Sequence, residues 1–405
     1  MYKIATLNKI STVGLSQLKN NYAVTDDLEV ANGIIVRSAD LHDMEFSDNL
    51  LAIARAGAGV NNIPLDKCAD EGIVVFNSPG ANANAVKELV LAGLLMSARN
   101  ISAAQKWVND LLDDSSIDIN KTVEKGKSHF AGQELKGKVL GVVGLGAVGA
   151  HVANAAMNLG MDVIGYDPYL SIKSAHLLSK DIPVVEELNE MLPDCDYVTV
   201  HVPVTNDTRG MIDKRRIGEM KDGAVLLNFA RGPLVNNEAV LEALESGKLK
   251  HYVTDFPNDK VIGKPGVIAT PHLGASTTEA EDNCATMAVQ QLMDYIENGN
   301  ITNSVNYPAC SLGAKKEGSS RIVILHKNVP RVLGLLTGFF ADRNINISNM
   351  TNQSRNEYAC TMIDAEMDDD DELRAAVEKL CDLEMVIRVR MSLKINGSNT
   401  RQIKS

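Results

Sequence analysis

The segment from Val139 to Asp167 constrains the fold of this chain more than any other, because it has the order strand, glycine turn, helix, strand and acidic residue. Val139 to Val143 is a short apolar run, typical of a buried parallel strand. Gly144, Gly146 and Gly149 follow it as G-x-G-x-x-G. The first glycine permits a tight turn, the second lets the backbone approach a pyrophosphate, and the third lets the next helix pack closely on the strand. The segment therefore predicts a dinucleotide-binding βαβ unit.

Asp167 indicates which dinucleotide this unit binds. It follows the second predicted strand, Asp162 to Tyr166, and lies 18 positions after Gly149. A carboxylate at that place accepts a hydrogen bond from a ribose 2′-hydroxyl and repels a 2′-phosphate. The sequence predicts NAD, not NADP, as the cofactor.

Composition excludes several classes of protein. The 405 residues carry a formal net charge of −12, so we expect no basic surface for nucleic acid or an anionic membrane. The six cysteines include no C-x-x-C pair, which predicts reduced thiols and no metal site. The N-terminus lacks the apolar core of a signal peptide, and no apolar run reaches the roughly 18 residues that span a bilayer, so we expect a cytoplasmic protein.

Alternating segments on both sides of the glycine motif predict an α/β chain of several domains. Strands are predicted at Ile4–Leu7, Gly33–Arg37, Leu51–Arg55, Ile73–Phe76, Tyr197–His201, Ala224–Asn228, Tyr252–Asp255 and Val267–Ala269, and helices at Asn84–Asn100, Asn237–Ser246 and Thr277–Asn298. The alternation predicts a Rossmann-type doubly wound parallel sheet inserted in a second, flavodoxin-like α/β domain. The expected bounds are 1–100 with 277–306 for the discontinuous substrate-binding domain, and 101–276 for the NAD-binding domain.

The C-terminal part of the chain has a different pattern. Residues 307–319 have the composition of a linker, and residues 320–395 follow the order β-α-β-β-α-β. The predicted elements are Arg321–Leu325, Pro330–Asp342, Ile345–Gln353, Tyr358–Glu366, Glu372–Leu383 and Met385–Leu393. This order predicts a small ferredoxin-like α+β domain.

Two side chains that follow predicted strands are suited to chemistry. Arg231, in the motif NFARG, can hold a carboxylate in a bidentate pair and polarise a neighbouring carbonyl, or it can form an inter-domain salt bridge. His272, in the motif TPHLGAST, can take the proton of a secondary alcohol as a hydride leaves, or it can be a structural hydrogen-bond donor. Both lie at the carboxyl ends of parallel strands, where open α/β sheets bind their ligands.

Six segments, in order, resemble the D-2-hydroxyacid dehydrogenases. They are RAGAGVNNI (55–63), VVFNSPGANANAV (74–86), GVVGLGAVG (141–149), GYDP (165–168), NFARGPLV (228–235) and TPHLGAST (270–277). The resemblance is especially good to the members that act on 3-phosphoglycerate. It implies NAD-dependent oxidation of 3-phospho-D-glycerate to 3-phosphohydroxypyruvate, the first step of L-serine synthesis.

The resemblance implies roles for residues of the NAD-binding domain. His272 would be the general acid/base, Arg231 would bind and polarise the substrate, and Asp255 would contact the nicotinamide carboxamide. The residues that would bind the cofactor follow strands or lie in the glycine turn. They are Ser78 of the first domain and, in the NAD-binding domain, Gly144, Gly146, Ala147, Val148, Gly149, Asp167, Val202, Pro203, Phe229, Ala230, Asp255 and Gly274.

The resemblance also implies a substrate site in the first domain. The backbone amides of Ala58, Gly59 and Val60 would hold the substrate carboxylate. Arg55 would bind its phosphate. Arg37 is a weaker candidate for the same role, and a plain surface charge is the better interpretation of it.

One departure from the family pattern concerns the partner of His272. Most members carry a glutamate five positions after the equivalent of Asp255, and this chain has Lys260 there. With one deletion Asp259 could replace the glutamate, whereas Lys260 in contact would depress the imidazole pKa. If Lys260 faces water instead, a backbone group or the substrate would orient the histidine.

The C-terminal domain resembles ACT domains, which bind amino acids. His326 and Asn328, with Asn346, match the serine-binding positions of serine-inhibited members and imply feedback inhibition by L-serine. Alternatively, Asn328 only caps a helix and His326 is an edge residue. Arg331 stands where those members carry glycine, and could hinder a close backbone approach.

Other functions stay open at the level of sequence. The chain could act on another D-2-hydroxy acid or reduce hydroxypyruvate. It could also be a non-catalytic, NAD-sensing regulator, because the family resembles transcriptional corepressors and Lys260 weakens one catalytic element. An edge-paired domain of the ACT type should associate, so a homodimer or homotetramer is expected, and the domain could serve assembly alone.

Overall fold

The structure is a computed structural model that describes residues 1–113, 118–315, 319–366, 370–392 and 401–402. The chain forms two compact units, one made of residues 1–81 with 281–405 and the other of residues 82–280. In the part of the chain that is described, no helix is both long enough and apolar enough to cross a bilayer.

The first unit opens with a five-stranded parallel sheet. Its elements are β1 (Tyr2–Leu7), α1 (Thr12–Leu15), β2 (Tyr22–Thr25), β3 (Gly33–Val36), β4 (Ala52–Arg55), α2 (Leu65–Asp70) and β5 (Val74–Phe76). The strand order β2-β1-β3-β4-β5 is flavodoxin-like and confirms the prediction. β3 and β5 are buried throughout, as parallel strands covered on both faces should be. The edge strand β2 was not predicted, because it is short and three of its four residues are exposed or partly exposed.

The second unit contains a seven-stranded parallel sheet with helices between its strands. Its elements are α3 (Ala83–Ala98), α4 (Ile101–Asp110), α5 (Ile119–Gly126), β6 (Val139–Val143), α6 (Ala147–Asn158), β7 (Asp162–Tyr166), α7 (Ile172–Leu177), β8 (Val184–Val185), α8 (Leu188–Met191), β9 (Tyr197–Val200), α9 (Lys214–Glu219), β10 (Ala224–Asn228), α10 (Asn237–Glu245), β11 (Leu249–Thr254) and β12 (Val267–Ala269). The strand order β12-β11-β10-β9-β6-β7-β8 changes direction between β6 and β9, as in doubly wound sheets. The Rossmann-type fold is therefore confirmed.

The boundary between the two units lies at residue 81, earlier than the predicted boundary at residue 100. The difference is helix α3, which the prediction left in the first domain. Val90, Leu94 and Ala98 of α3 are buried in the same cluster as Leu227 and Val253 of the seven-stranded sheet. The apolar face of α3 packs into the core of the second unit, so the helix belongs to that unit.

The rest of the first unit consists mainly of helix α11 and an antiparallel sheet. The elements are α11 (Thr278–Asn298), β13 (Ser320–Lys327), α12 (Val332–Ala341), β14 (Asn346–Arg355), β15 (Tyr358–Glu366), α13 (Asp370–Glu378), β16 (Val386–Ser392) and β17 (Arg401–Gln402). The strand order is β14-β15-β13-β16-β17, which confirms the ferredoxin-like domain. Residues 316–318 of the predicted linker and residues 393–395 of the predicted domain lie outside the described residues.

The antiparallel sheet shares a core with the rest of the first unit. Val323 and Met362 of the sheet lie in one buried cluster with Tyr295 and Tyr307. Tyr307 and Cys310 are 0% and 2% exposed, although both fall in the predicted linker. The start of that segment is thus packed, because its apolar side chains fill the space between helix α11 and the sheet.

Two arginines of the antiparallel sheet bind the end of α11. The last carbonyl groups of any helix lack partners within the helix. Arg390 donates to the carbonyls of Tyr295 and Ile296 at 3.1 and 3.0 Å, and Arg321 donates to that of Asn298 at 3.1 Å. Cations at this end also interact favourably with the helix dipole. The burial of both arginines is explained by these bonds.

Candidate active site

The candidate residues of the second unit lie at one edge of its sheet. Every strand pair in that sheet is parallel, so all carboxyl ends point to the same edge. The loops after β6, β7, β9, β10, β11 and β12 carry, in that order, Gly144–Gly149, Asp167, Val202–Pro203, Phe229–Arg231, Asp255 and His272. Groups from six separate segments are brought to one edge in this way.

The glycine turn has the geometry that a dinucleotide needs. Gly144 has a φ of +91°, which favours glycine. A Cβ on Gly149 would lie 1.8 Å from the carbonyl oxygen of Gly144, so helix α6 can pack here only with glycine. Among the described residues other than its two chain neighbours, none lies within 4 Å of a Cβ added to Gly146. The amides of Ala147 and Val148 begin α6 beside this open space, which suits an anion.

Asp167 is held in place beside the glycine turn. Its Oδ2 accepts the amide of Leu145 at 2.9 Å, and its Oδ1 accepts the amide of Tyr169 at 2.9 Å. A carboxylate has about four acceptor sites, so both oxygens can still accept a ribose hydroxyl. The predicted role of Asp167 in cofactor choice is compatible with this arrangement.

Replacing Asp167 with serine should shift the preference between the two nicotinamide cofactors. Loss of a charged acceptor should weaken NADH binding about tenfold, and loss of repulsion should strengthen NADPH binding. Fluorescence titration gives both dissociation constants. Asp162→Ser is the matched control, since Asp162 is exposed at the opposite end of the same strand. An unchanged NADPH dissociation constant in Asp167→Ser would argue against the role of this carboxylate.

Asn228 organises the loop that carries Arg231. It is 0% exposed, and its Nδ2 donates to the carbonyl of Arg231 at 2.9 Å. Its Oδ1 accepts the amides of Ala230 and Arg231 at 3.2 and 3.3 Å. The ring of Phe229 is buried in the core, so only its backbone can face a cofactor. The role of Asn228 was not predicted, because the motif does not reveal which loop atoms a side-chain amide meets.

Asp255 has a buried acceptor without a partner. The residue is 0% exposed, and its Oδ2 accepts the amide of Gly274 at 3.0 Å. Its Oδ1 is buried and meets no donor among the described residues. Burial raises the pKa of Asp255, and the bond from Gly274 opposes that rise. Because unsatisfied buried acceptors are rare, a ligand donor such as a carboxamide NH₂ fits this site.

His272 lies exposed at the same edge, and an aromatic ring lies beside its imidazole. The ring centroids of His272 and Phe256 are 4.5 Å apart. No described side chain forms a hydrogen bond with the imidazole. Lys260 donates to Glu238 at 2.8 Å, which raises the pKa of Lys260, and Asp259 is exposed. Neither Asp259 nor Lys260 is seen to bond to His272, so the predicted direct roles of both are not supported.

The predicted substrate loop of the first unit follows β4. Asn77 donates through Nδ2 to the carbonyl of Ala58 at 2.7 Å, and the amide of Ser78 donates to the carbonyl of Gly57 at 3.0 Å. The amides of residues 58–60 make no backbone hydrogen bond within the described part of the chain. Successive amides of this kind can bind an anion.

Three polar residues around this loop have different environments. Ser78 is 0% exposed, and its Oγ lies 3.0 Å from the carbonyl of Arg55 and 2.9 Å from a carbonyl of α11. Its predicted cofactor contact is not supported, because the hydroxyl is used inside the unit. The guanidinium of Arg55 lies against Gly57, because its Nη1 is 2.5 Å from the position that a Cβ of Gly57 would occupy. Arg37 pairs with Glu281 at 2.7 Å, as expected of a surface charge.

The side chain of His326 is buried and hydrogen-bonded within the chain, which does not support a direct contact with serine. The side chain is 2% exposed, its Nδ1 lies 2.8 Å from the carbonyl of Lys327, and its Nε2 lies 2.9 Å from Oγ1 of Thr361. Burial lowers its pKa. β13 is flanked by β15 and β16, so His326 is not an edge residue either. Asn328 donates to the carbonyl of Asn356 and does not cap α12.

The predicted serine ligands His326 and Asn346 lie far apart within one chain. On β15, Ala359 is opposite His326 and Glu366 is opposite Asn346. Seven residues of strand separate these positions, or about 23 Å. Arg331 precedes α12 with a left-handed φ of 72°, the conformation that glycine would adopt there at lower cost. A single chain therefore does not assemble the predicted serine site.

Comparisons with known proteins agree with the fold. The family model of the D-isomer specific 2-hydroxyacid dehydrogenase NAD-binding domain matches residues 91–274, and that of an AHAS small subunit-like ACT domain matches residues 322–388. The D-3-phosphoglycerate dehydrogenase of Haemophilus influenzae is 32% identical over 86% of this chain and 82% of that protein. That of Methanocaldococcus jannaschii is 34% identical over 77% of this chain, which spans only 59% of that protein.

A solved structure gives the same result for the fold. The NAD⁺-bound 3-phosphoglycerate dehydrogenase of Entamoeba histolytica superposes with a TM-score of 0.60 at 25% identity, over 75% of this chain and 98% of that chain. The similarity to the Haemophilus protein extends over most of both chains. This chain belongs to the D-isomer specific 2-hydroxyacid dehydrogenase family, with the D-3-phosphoglycerate dehydrogenases among its relatives.

Proposed function

We propose that this chain is an NAD-dependent dehydrogenase that interconverts 3-phospho-D-glycerate and 3-phosphohydroxypyruvate. The observation that carries the proposal is the meeting of Arg231, Asp255 and His272 at the sheet edge that also carries the glycine turn and Asp167. The names of the relatives support the choice of substrate.

The residues of the second unit fit NAD. The open space at Gly146 and the start of α6 would take the pyrophosphate, and Asp167 the ribose hydroxyls. The unpartnered Oδ1 of Asp255 would accept from the carboxamide. When bound, the nicotinamide ring supplies the acceptor for the hydride that leaves C2 of the substrate.

His272 and Arg231 would handle the proton and the charge. His272 would take the proton of the C2 hydroxyl in oxidation and return it in reduction. The guanidinium of Arg231 would bind the carboxylate and stabilise negative charge on the C2 oxygen. In the first unit, the amides of Ala58, Gly59 and Val60 would bind the carboxylate and Arg55 the phosphate.

The oxidation of NADH, followed by absorbance, tests this proposal. We expect turnover with 3-phosphohydroxypyruvate and a kcat/KM at least about tenfold lower with hydroxypyruvate, because the latter lacks the charged contact to Arg55. Equal kcat/KM for both substrates would indicate another 2-hydroxy acid as the natural substrate. NADH binding without any turnover would favour the NAD-sensing regulator.

L-Serine is the proposed effector of the C-terminal domain. Asn328 and Asn346 are both exposed but lie at opposite ends of one sheet, so we infer that serine would be held between two copies of the chain. We expect serine to suppress turnover of a dimer or tetramer, and Asn346→Ala to abolish that effect. Serine-insensitive turnover of an oligomer would leave the domain a role in assembly alone.

A further inference from the structure

Among the described residues, no carboxylate is seen to hydrogen-bond to the imidazole of His272, and an aromatic ring lies beside it. The ring of Phe256 lies against it with a centroid distance of 4.5 Å and an interplanar angle of 47°. On the same ring, Cζ of the Arg231 guanidinium lies 5.9 Å from the centroid. One aromatic side chain thus contacts both groups that the proposed reaction uses.

The position of Phe256 is fixed by the buried network that also fixes Arg231. Thr254 is 0% exposed, and its Oγ1 donates to the carbonyl of Asn228 at 2.9 Å and accepts the amide of Phe256 at 3.0 Å. The side chain of Asn228 in turn forms two hydrogen bonds with the backbone of Arg231 and one with the amide of Ala230. These hydrogen bonds therefore link the loops after β10 and β11, which carry Arg231 and Phe256.

The geometry points to Phe256 as the positioning residue of this active site, in the role that a carboxylate bonded to the histidine usually has. A ring face attracts a guanidinium or an imidazolium through its quadrupole and restricts the orientation of an exposed imidazole by packing. This role differs from that of a carboxylate, because no proton is shared with the imidazole. The inference rests on the proposed function, since it assigns His272 and Arg231 to the reaction.

Phe256→Leu and Phe256→Tyr test the inference together. Leucine keeps an apolar side chain but removes the ring, so we expect kcat to fall about tenfold and the substrate KM to rise several-fold, with the NADH dissociation constant unchanged. Tyrosine keeps the ring and should stay within about twofold of the wild type. Phe130→Leu is the matched control, because Phe130 is also half-buried in the second unit but packs on Trp107.

Three results would overturn the inference. Phe256→Leu with wild-type kcat and KM would show that the ring is dispensable. An equal loss of kcat in Phe256→Leu and Phe256→Tyr would show that an aromatic face is not the relevant property. A parallel loss of NADH binding would show a general structural role.

A measurement that needs no turnover separates this inference from the proposed function. The ring current of Phe256 should shift the imidazole proton resonances of His272, which are assigned by their absence in His272→Asn. These resonances should move in Phe256→Leu and stay nearly unchanged in Phe256→Tyr. An absence of turnover in the wild type would refute the proposed function, whereas unmoved resonances in Phe256→Leu would refute the contact itself.

Discussion

Replacing His272 with asparagine is expected to lower kcat by about 10³-fold and to leave the NADH dissociation constant unchanged. General acid–base catalysis contributes about 10²- to 10⁴-fold, and asparagine cannot accept the hydroxyl proton. The side chain is exposed, so its loss should not unfold the second unit. Steady-state turnover with 3-phosphohydroxypyruvate and an NADH titration measure the two quantities. A kcat above about a tenth of the wild-type value would remove His272 from the proposed role.

Two neighbouring variants show whether any charge assists the histidine. Lys260 is 54% exposed and bonds to Glu238, so Lys260→Gln should change kcat by less than about twofold. Asp259→Asn should behave in the same way, because Asp259 is exposed and is not seen to bond to the imidazole. A tenfold loss of kcat in Asp259→Asn, but not in Lys260→Gln, would support the interpretation in which that carboxylate replaces the family glutamate.

Replacing Asp364 with asparagine should destabilise the first unit by about 3–5 kcal/mol. Arg321 and Asp364 form a bidentate pair at 2.7 and 2.9 Å, and their side chains are 1% and 3% exposed. The substitution leaves the arginine buried without its counter-charge at the place where it binds the end of α11. Urea unfolding followed by circular dichroism measures the loss, and hydrogen exchange of β13 and β15 locates it.

An exposed pair provides the control for this experiment. Asp222 bonds to Lys248 at 2.8 Å but is 89% exposed, so Asp222→Asn should leave the free energy of unfolding nearly unchanged. The double variant Arg321→Met with Asp364→Leu should recover much of the loss, because it removes both charges together. Equal effects of Asp364→Asn and Asp222→Asn would contradict the buried-pair argument.

Much of the fold and part of the site were predictable from local patterns. The glycines of the turn after β6 and the apolar runs on either side of it specify backbone geometry without reference to distant residues. The carboxyl ends of parallel strands share an edge, so the strand order also places Arg231, Asp255 and His272 together. The dinucleotide unit and the edge that carries its ligands follow from these two facts.

The partners of individual side chains were not predictable in the same way. Spacing placed Lys260 where a glutamate is usual, but α10 supplies Glu238 as its partner. The motif around His326 matched an amino-acid site, but the central position of β13 buries that side chain. In both cases the outcome depends on segments that are distant in the chain and meet only in the fold.

The sequence by itself determined the doubly wound sheet, the cofactor-binding turn and the order of the candidate groups, because periodicity and glycine geometry act over a few residues. Only the tertiary structure decided that Phe256 contacts His272, that α3 joins the second unit, and that Arg321 and Arg390 fix the antiparallel sheet to α11. These contacts arise from burial and from unsatisfied carbonyl groups at a helix end, and both exist only once distant segments have packed together.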